Sequence, residues 1–332
     1  MSLLVRAATL THFFEVAQAV GLNTQPLLRS VGLTRTLLAD PEQRIPAQAA
    51  VQLLERSAEA SGCPQFGLRM AESRQLSDFG AVSLLISHQP TLRAALATIV
   101  QYRHLLNDTI ALQLEDAGHL VVIREEVVAS ALSRQATELA LGVLFRLCVA
   151  LMGRHWAPVG VHFSHEAPAD LALHKRLFAC HLEFGSEFNG IVCRAADLDA
   201  PNPGADPAMA RYAQRFLDSM PQINGPSVVL DVRKAIYLML PSGRASSAYV
   251  AQGLGLSVRT LQRQLDMAGT SFTDVLNDIR RELAQRYAAN PKYTLVRVSE
   301  LLGYSTPSSF TRWFDAQFGC SPQRWRQVHH GF

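Results

Sequence analysis

The feature that most constrains the fold of this 332-residue chain is an internal repeat in its last third. Residues 250–257 read VAQGLGLS and residues 298–305 read VSELLGYS, which places Gly255 and Gly303 48 residues apart. Each copy has the order helix, glycine turn, serine, helix, which is the order of a helix-turn-helix motif. We therefore expect an all-α C-terminal domain over residues 227–332 that contains two such motifs.

The first copy has the residue types that a helix-turn-helix requires. Val250 and Leu254 bury one face of the first helix, and the small Ala251 lets the second helix approach. Gly255 allows the turn, and Ser257 is placed to cap the second helix.

The second helix of this copy has a polar outward face. Val258, Leu261 and Leu265 form its inward, apolar stripe. The residues on the opposite, outward face are Arg259, Gln262, Arg263 and Asp266. Arginine reads guanine and glutamine reads adenine through paired hydrogen bonds in the major groove. This helix is therefore predicted to bind DNA through Ser257, Arg259, Gln262 and Arg263.

The second copy repeats this arrangement. Phe310, Phe314 and Phe318 face inward, and Ser305 or Thr306 caps a helix with Pro307 in its first turn. The predicted DNA contacts in this copy are Thr306, Ser308, Thr311 and Arg312. One isolated copy would be equally consistent with an ordinary helical hairpin, but two copies with polar outward faces favour a nucleic-acid-binding domain.

Charge and spacing support a DNA partner. Residues 226–332 carry 13 Lys and Arg against 7 Asp and Glu, whereas residues 1–225 carry 18 against 21. Between the copies, residues 272–287 form an amphipathic pattern with three arginines (280, 281 and 286), about 24 Å long as a helix. Two successive major grooves, about 34 Å apart, are then within reach.

The first two thirds of the chain predict an α+β domain with many helices and a small sheet. Apolar residues recur at helical spacing over 13–20, 26–31, 47–60, 80–87, 92–106, 132–152, 170–179 and 206–219. Alternating segments at 109–114 and 119–125 flank a hairpin turn, and 159–164 and 190–194 are further strands. Proline- and glycine-rich stretches predict a domain over 1–205, a linker with one helix over 206–226, and a boundary near 225.

Several protein classes are disfavoured by the sequence. The longest apolar run, residues 139–152, contains Arg146 and is too short to span a bilayer, so it predicts a buried core helix. The first twenty residues have no export signal, so we expect a cytoplasmic protein without membrane contact. The five cysteines are scattered without a Cys-x-x-Cys pair, which predicts reduced core residues.

The C-terminal motifs resemble the AraC/XylS family of transcription regulators. The residues that carry this resemblance are 256–263 (LSVRTLQR), 269–272 (GTSF), 302–305 (LGYS), 310–314 (FTRWF) and 318–322 (FGCSP). The N-terminal part is similar to the non-cupin, arabinose-binding-type effector domain of the ornithine-utilisation-regulator-like subgroup. That similarity rests on residues 78–80 (DFG), 91–96 (TLRAAL), 102 (Y) with 105–108 (LLND), 158–159 (PV) with 162–163 (HF), 184–185 (FG) with 188–190 (FNG), and 196–198 (ADL).

The resemblance implies a regulated activator that binds promoter DNA, contacts RNA polymerase, binds a small-molecule effector, and forms homodimers through its N-terminal domain. The family's base-reading positions coincide with the outward residues derived above. One departure is Pro307, where many members have a longer polar side chain, so we expect weaker readout by the second helix.

The candidate effector residues lie in the N-terminal part of the chain. Tyr102, Arg103 and His104 near a helix end, together with Arg124 on a strand, are candidates for pairing with a carboxylate. No nucleophile elbow, phosphate loop or dinucleotide fingerprint precedes residue 225, so we expect neither an enzyme nor a cofactor.

Two alternatives remain for the regulation. One is a metal-sensing regulator, because His162, His165, His174, His181 and Cys180 are close in sequence, although we assign no metal ligand. The other is an effector-independent regulator that uses its N-terminal domain only for dimerisation or protein contacts.

Overall fold

The computed structural model describes residues 3–129, 133–220 and 227–330, with the backbone alone at residue 330. The chain divides into two compact units, residues 1–224 and 225–332. The predicted boundary near residue 225 and the predicted helix start at Leu132 lie outside the described residues.

The described part of the N-terminal unit contains helices and short strands in mixed order. Its helices are α1 (Phe13–Ala19), α2 (Thr24–Ser30), α3 (Arg35–Ala39), α4 (Ala47–Ser61), α5 (Phe66–Glu72), α6 (Val82–Ser87), α7 (Leu92–Gln101), α8 (Arg103–Leu106), α9 (Arg134–Met152), α10 (Ala172–Phe178), α11 (Ala195–Asp199) and α12 (Pro207–Ser219). Its strands are β1 (Leu4–Arg6), β2 (Arg44–Pro46), β3 (Ile110–Ala117), β4 (Leu120–Val127), β5 (Gly160–Phe163), β6 (His181–Phe184) and β7 (Gly190–Arg194). The predicted α+β class is confirmed.

Five strands form one sheet in the order β3-β4-β7-β5-β6, and β1 and β2 form a separate antiparallel pair. The predicted hairpin joins β3 and β4, and Gly118 takes the positive φ of +73° that its turn requires. β5 and β6 are parallel and are connected through α10, whereas β7 is antiparallel to both β4 and β5.

Helix α9 is the centre of the unit. Its first turns contribute to an apolar core with α1, α4 and α5, and its later turns contribute to a second core with α7 and the five-stranded sheet. Helix α5 approaches it so closely that a Cβ on Gly142 would lie 2.5 Å from Ala71 Cβ. By length and composition α9 would be able to cross a membrane, but 72% of its most apolar window is buried in the unit. The prediction of a buried core helix is confirmed.

The structure differs from the sequence expectations at several places in this unit, and the unpredicted elements include β1, β2, α3, α5 and α11. The single helix expected over 92–106 is broken at Tyr102 into α7 and α8. Strand β6 was not predicted, because it is a four-residue edge strand with exposed polar residues. Helix α12, expected in the linker, buries Ala213 and Leu217 in the core of the N-terminal unit.

The C-terminal unit is entirely helical over residues 227–330, in agreement with the sequence. Its helices are α13 (Val228–Met239), α14 (Ser247–Gly253), α15 (Val258–Met267), α16 (Phe272–Ala289), α17 (Leu295–Leu301), α18 (Pro307–Phe318) and α19 (Pro322–His330). The predicted spacer is α16, which packs against α13, α17 and α19. Its 18 residues give it a length of about 27 Å.

Candidate nucleic-acid interface

Helices α14 and α15 form the first helix-turn-helix. Val250 and Ala251 of α14 are buried, and Gly255 makes the turn with φ of +68°. The turn is closed by a 2.9 Å hydrogen bond from the Leu256 amide to the carbonyl oxygen of Ala251. The hydroxyl oxygen of Ser257 accepts the amide hydrogen of Thr260 at 3.1 Å and so caps α15, as predicted.

Helix α15 has two chemically distinct faces. Leu261 and Leu265 are fully buried, and Val258 is half-buried. The predicted outward residues are all exposed: Arg259, Gln262, Arg263 and Asp266. In the described part of the chain none of these four side chains makes a hydrogen bond or ion pair, so their polar groups are available to a partner.

Helices α17 and α18 form the second helix-turn-helix. Val298 and Leu301 are fully buried, and Gly303 makes the turn with φ of +71°. Of the two predicted caps, the structure selects Thr306, whose hydroxyl oxygen accepts the Ser309 amide at 3.3 Å. Pro307 occupies the first turn, where its missing N–H removes no helical hydrogen bond.

The outward face of α18 is shorter and partly self-bonded. Ser308, Thr311 and Arg312 are exposed, but the Thr311 hydroxyl donates to the Pro307 carbonyl oxygen at 3.0 Å. The Ser308 hydroxyl lies 3.3 Å from that of Thr306. Arg312 alone among these three is long and has no such contact, so α18 offers fewer free hydrogen-bonding groups than α15.

The aromatic residues of the second motif hold α18 in place. Tyr304 lies 5.7 Å from Trp313, and Phe314 packs against Trp325, which is 9% exposed. Tyr304, Trp313 and Trp325 therefore pack inside the C-terminal unit. Arg280 of α16 stacks on the Tyr304 ring at 4.3 Å and donates to the Leu302 carbonyl oxygen at 3.0 Å. Arg280, one of the three arginines of the predicted spacer, therefore stabilises the packing of the C-terminal unit.

The predicted effector residues have partners within the N-terminal unit. The Tyr102 hydroxyl donates to Asp218 Oδ1 at 2.7 Å and accepts from Gln214 Nε2 at 3.0 Å. Burial, together with the hydrogen bond to Asp218, raises the pKa of Tyr102 to about 12. Arg103 donates to the Val100 carbonyl oxygen, and burial lowers the pKa of the half-buried His104.

Arg124 lies on β4 and is 6% exposed. Its guanidinium is 3.5 Å from Glu115 and 3.6 Å from Glu126. Because two carboxylates of the chain already surround it, Arg124 is a poor candidate for pairing with the carboxylate of an effector.

The histidines considered for metal binding are arranged around a carboxylate that the sequence analysis did not single out. His174 Nε2 lies 3.2 Å and His165 Nε2 lies 3.5 Å from Glu138 Oε1, and Arg134 Nε donates to the same oxygen at 2.9 Å. His162 instead stacks on Phe188. Across residues 3–129, 133–220 and 227–330, no three His, Cys, Asp or Glu side chains are arranged to hold a metal ion.

Comparison with known proteins gives matches along most of the chain. Residues 21–202 match the arabinose-binding N-terminal domain of AraC transcription regulators, and residues 250–328 match a helix-turn-helix domain. The HTH-type transcriptional regulator VirS of Mycobacterium tuberculosis is 27% identical over 97% of this chain and 96% of its own length.

Two further relatives are named as a regulator and as a transcriptional activator. The ornithine utilization regulator of Pseudomonas aeruginosa is 23% identical over 98% of this chain and 97% of its own. The transcriptional activator NphR of a Rhodococcus species is 27% identical over 49% of this chain and 52% of its own.

Proposed function

The chain belongs to the AraC family of transcription regulators, and we propose that it is an activator that reads a two-box operator with α15 and α18 under the control of a small-molecule effector. In this proposal the effector binds in the N-terminal unit, and the protein acts in the cytoplasm by binding, with no chemical reaction of its own. It is a DNA-binding regulator with an arabinose-binding-type N-terminal domain. The effector, the operator and the activator role are the parts proposed here.

The observation that carries the two-box proposal is the pair of exposed polar helix faces. Each of α15 and α18 follows a glycine turn, has a hydroxyl N-cap and presents an exposed arginine, Arg263 or Arg312, opposite a buried apolar stripe. An α-helix fits the major groove, and phosphates favour the capped N-terminal end of a helix. The +6 charge of residues 226–332 supplies attraction to the duplex.

The direct test is selection of bound sequences from a random duplex library with the full-length protein. We expect enrichment of a site with two boxes whose centres lie about one helical turn apart. A selected site with a single box would contradict the role of α18, and failure to enrich any sequence would contradict the proposal as a whole. Reporter transcription from a promoter that carries the selected site, with and without the protein, separates activation from repression.

Homodimer formation is also part of the proposal, and α12 provides a surface that supports it. Met209, Tyr212 and Phe216 are 44%, 68% and 52% exposed, and they occupy one stripe of this helix. In an antiparallel pair of α12 helices, Met209 of one copy would oppose Phe216 of the other, with Tyr212 near the twofold axis. A second copy therefore fits this surface, since an isologous contact requires self-complementarity. Analytical ultracentrifugation of wild type and Tyr212→Glu tests it, because the added carboxylate should yield a monomer.

Contact with RNA polymerase is proposed from the family and the activator-type relative alone. A two-hybrid assay between the full chain and polymerase subunits tests this part separately. If the protein stimulated transcription without any contact with a polymerase subunit, this part of the proposal would be wrong.

A further inference from the structure

Glu125 on β4 is a carboxyl group enclosed in the apolar core of the N-terminal unit. Its side chain is 7% exposed, and Oε2 is fully buried without a hydrogen-bond partner. Among the described residues, no side chain or backbone group donates a hydrogen bond to this carboxyl group, and none forms an ion pair with it. A buried polar group without a partner destabilises the folded state, so its presence needs an explanation.

The strand geometry excludes the nearest cation as its partner. Successive side chains on a strand point to opposite faces, so Glu125 shares the face of Val121 and Ile123, both of which are fully buried in the core. Arg124 and Glu126 point to the opposite face. There Arg124 lies beside Glu115 and Glu126, and Glu126 accepts a 2.9 Å hydrogen bond from Asn189.

Within the described part of the N-terminal unit, no cationic group faces Glu125. Its cross-strand neighbour on β3 is Leu112, and on the β7 side its backbone amide donates to the carbonyl oxygen of Asn189. From α9 the titratable group within electrostatic range is Cys148, whose own pKa is raised by burial. Burial and the nearby Glu126 raise the pKa of Glu125 to about 8. The empty protein therefore holds this group as a neutral acid at pH 7.

β4, the strand that carries Glu125, is the second strand from one edge of the sheet. β3 is the edge strand of the sheet, and Leu112 is only half-buried. One strand thus separates Glu125 from the sheet edge. Glu125 is thus an acid surrounded by apolar side chains. Such an environment is complementary to a molecule that joins a cationic group to an apolar body.

We propose that Glu125 is the anchor of the effector site and that the effector carries a protonated amine or guanidinium group on an apolar body. This inference rests on the proposed regulation by an effector. Binding proceeds as an exchange: the acid gives its proton to solvent, and the resulting carboxylate pairs with the cation of the ligand. The ion pair then satisfies an oxygen that has no partner in the empty protein, which is how the ligand stabilises the N-terminal unit.

The test measures thermal unfolding of the full-length protein with three probes: n-butylammonium, benzylammonium and butylguanidinium chlorides. At about 20 mM probe and about pH 8.5, we expect at least one probe to raise the unfolding midpoint by about 2 °C or more over equal sodium chloride. n-Butanol and benzyl alcohol, which keep the apolar body without the charge, should give less than half of that shift.

The variants localise the effect. Glu125→Gln and Glu125→Leu should abolish the response to the cationic probe, whereas Glu126→Gln, a neighbour on the opposite face of the same strand, should retain it. Glu125→Leu should also unfold at a higher temperature than wild type without probe, because it removes an unpaired carboxyl group. If Glu125→Leu is instead less stable, the carboxyl group has a structural partner and the proposal is wrong.

Two further results would overturn the proposal. One is the absence of a response to any of the three cations, and the other is an equal response in wild type and Glu125→Gln. Neither result affects DNA selection by the same preparations. A protein that selects a two-box site but ignores the cations therefore retains the proposed regulator function and loses only the anchor assignment.

Discussion

The hydroxyl of Tyr102 joins the effector-domain core to the last turn of α12 through its 2.7 Å hydrogen bond to Asp218 Oδ1. Tyr102 lies at the break between α7 and α8, and Gln214 of α12 donates to the same hydroxyl at 3.0 Å. Asp218 is two residues before Met220, the last described residue of the N-terminal unit. This contact fixes the end of α12 to the unit that is proposed to bind the effector.

Replacing Tyr102 with phenylalanine should lower the free energy of unfolding by about 1–3 kcal/mol, because a buried hydrogen bond to a carboxylate is lost. Urea denaturation measures the change, with Tyr249→Phe as the control, since Tyr249 is 55% exposed and its hydroxyl has no partner among the described residues. Adding Asp218→Asn to Tyr102→Phe should cost less than the sum of the single changes. Strict additivity would show that the two groups do not interact.

Arg263→Ala and Arg312→Ala should each weaken binding to the selected operator by about 1–3 kcal/mol and relax base preference in one box. The loss of preference should be more complete for Arg312→Ala, because α18 has fewer free hydrogen-bonding groups than α15. Competition binding against sites with substituted boxes measures both the affinity and the base preference of each variant. Arg324→Ala, an exposed charge on α19, is the control. Unchanged affinity for both variants would contradict the assigned recognition faces.

Gly303→Ala should destabilise the C-terminal unit more than Gly255→Ala. Both glycines have φ near +70°, a region that costs an L-residue about 1 kcal/mol or more. At Gly303 a Cβ would also lie 3.2 Å from Leu240 Cδ1, whereas at Gly255 nothing lies within 4 Å. Thermal unfolding of the two variants compares them under identical conditions. Equal losses would show that Leu240 moves aside freely.

Glu125 should make the stability of the protein decline as the pH rises. Burial and the nearby Glu126 raise its pKa from the ordinary value of 4.5 to about 8 in the folded protein, so the folded state holds the proton more tightly than the unfolded state. The stabilisation from this proton is complete below about pH 4.5 and is lost as the pH rises to about 8, at up to about 1.4 kcal/mol per pH unit. Glu125→Gln should lack this decline. Urea unfolding of both proteins from pH 5 to 8 measures the difference, which a pH-independent offset would contradict.

DNA affinity should fall linearly with salt on logarithmic axes, because Lys and Arg that contact phosphates release counterions. A fragment of residues 226–332, which carries the +6 charge, should show nearly the same slope as the full chain. Fluorescence anisotropy with the selected duplex at several salt concentrations gives both slopes. A salt-independent affinity would contradict the electrostatic contribution of this unit.

The C-terminal unit could be predicted closely from the sequence because its determinants are local. Helical periodicity, the glycine turns and the hydroxyl caps are all set by residues within one or two turns of each other. The exposed arginines at 259, 263 and 312 follow directly from the apolar stripe on the opposite face. The outward positions of Ser308 and Thr311 did not reveal back-bonding, in which a short hydroxyl reaches a nearby backbone or side-chain oxygen.

The N-terminal unit was harder to predict because its important contacts join distant parts of the chain. Tyr102 was singled out as a ligand residue, but its partner Asp218 lies 116 residues away. Glu138 was hidden in an apolar helix, and its two histidines come from the loop after β5 and from α10. For Glu125 a signal did exist, since a charged residue continues the apolar phase of Val121 and Ile123. Alternation alone does not show whether such a residue finds a partner.

In the proposed complex, the unequal chemistry of α15 and α18 gives each bound molecule a direction along the duplex. One helix has three long polar side chains free, and the other has a single free arginine between hydroxyls that already have contacts. The two boxes are therefore not interchangeable, and inverting the operator sequence reverses the orientation of the bound protein. A promoter served by this protein should depend on the orientation of its site as well as on its distance from the start of transcription.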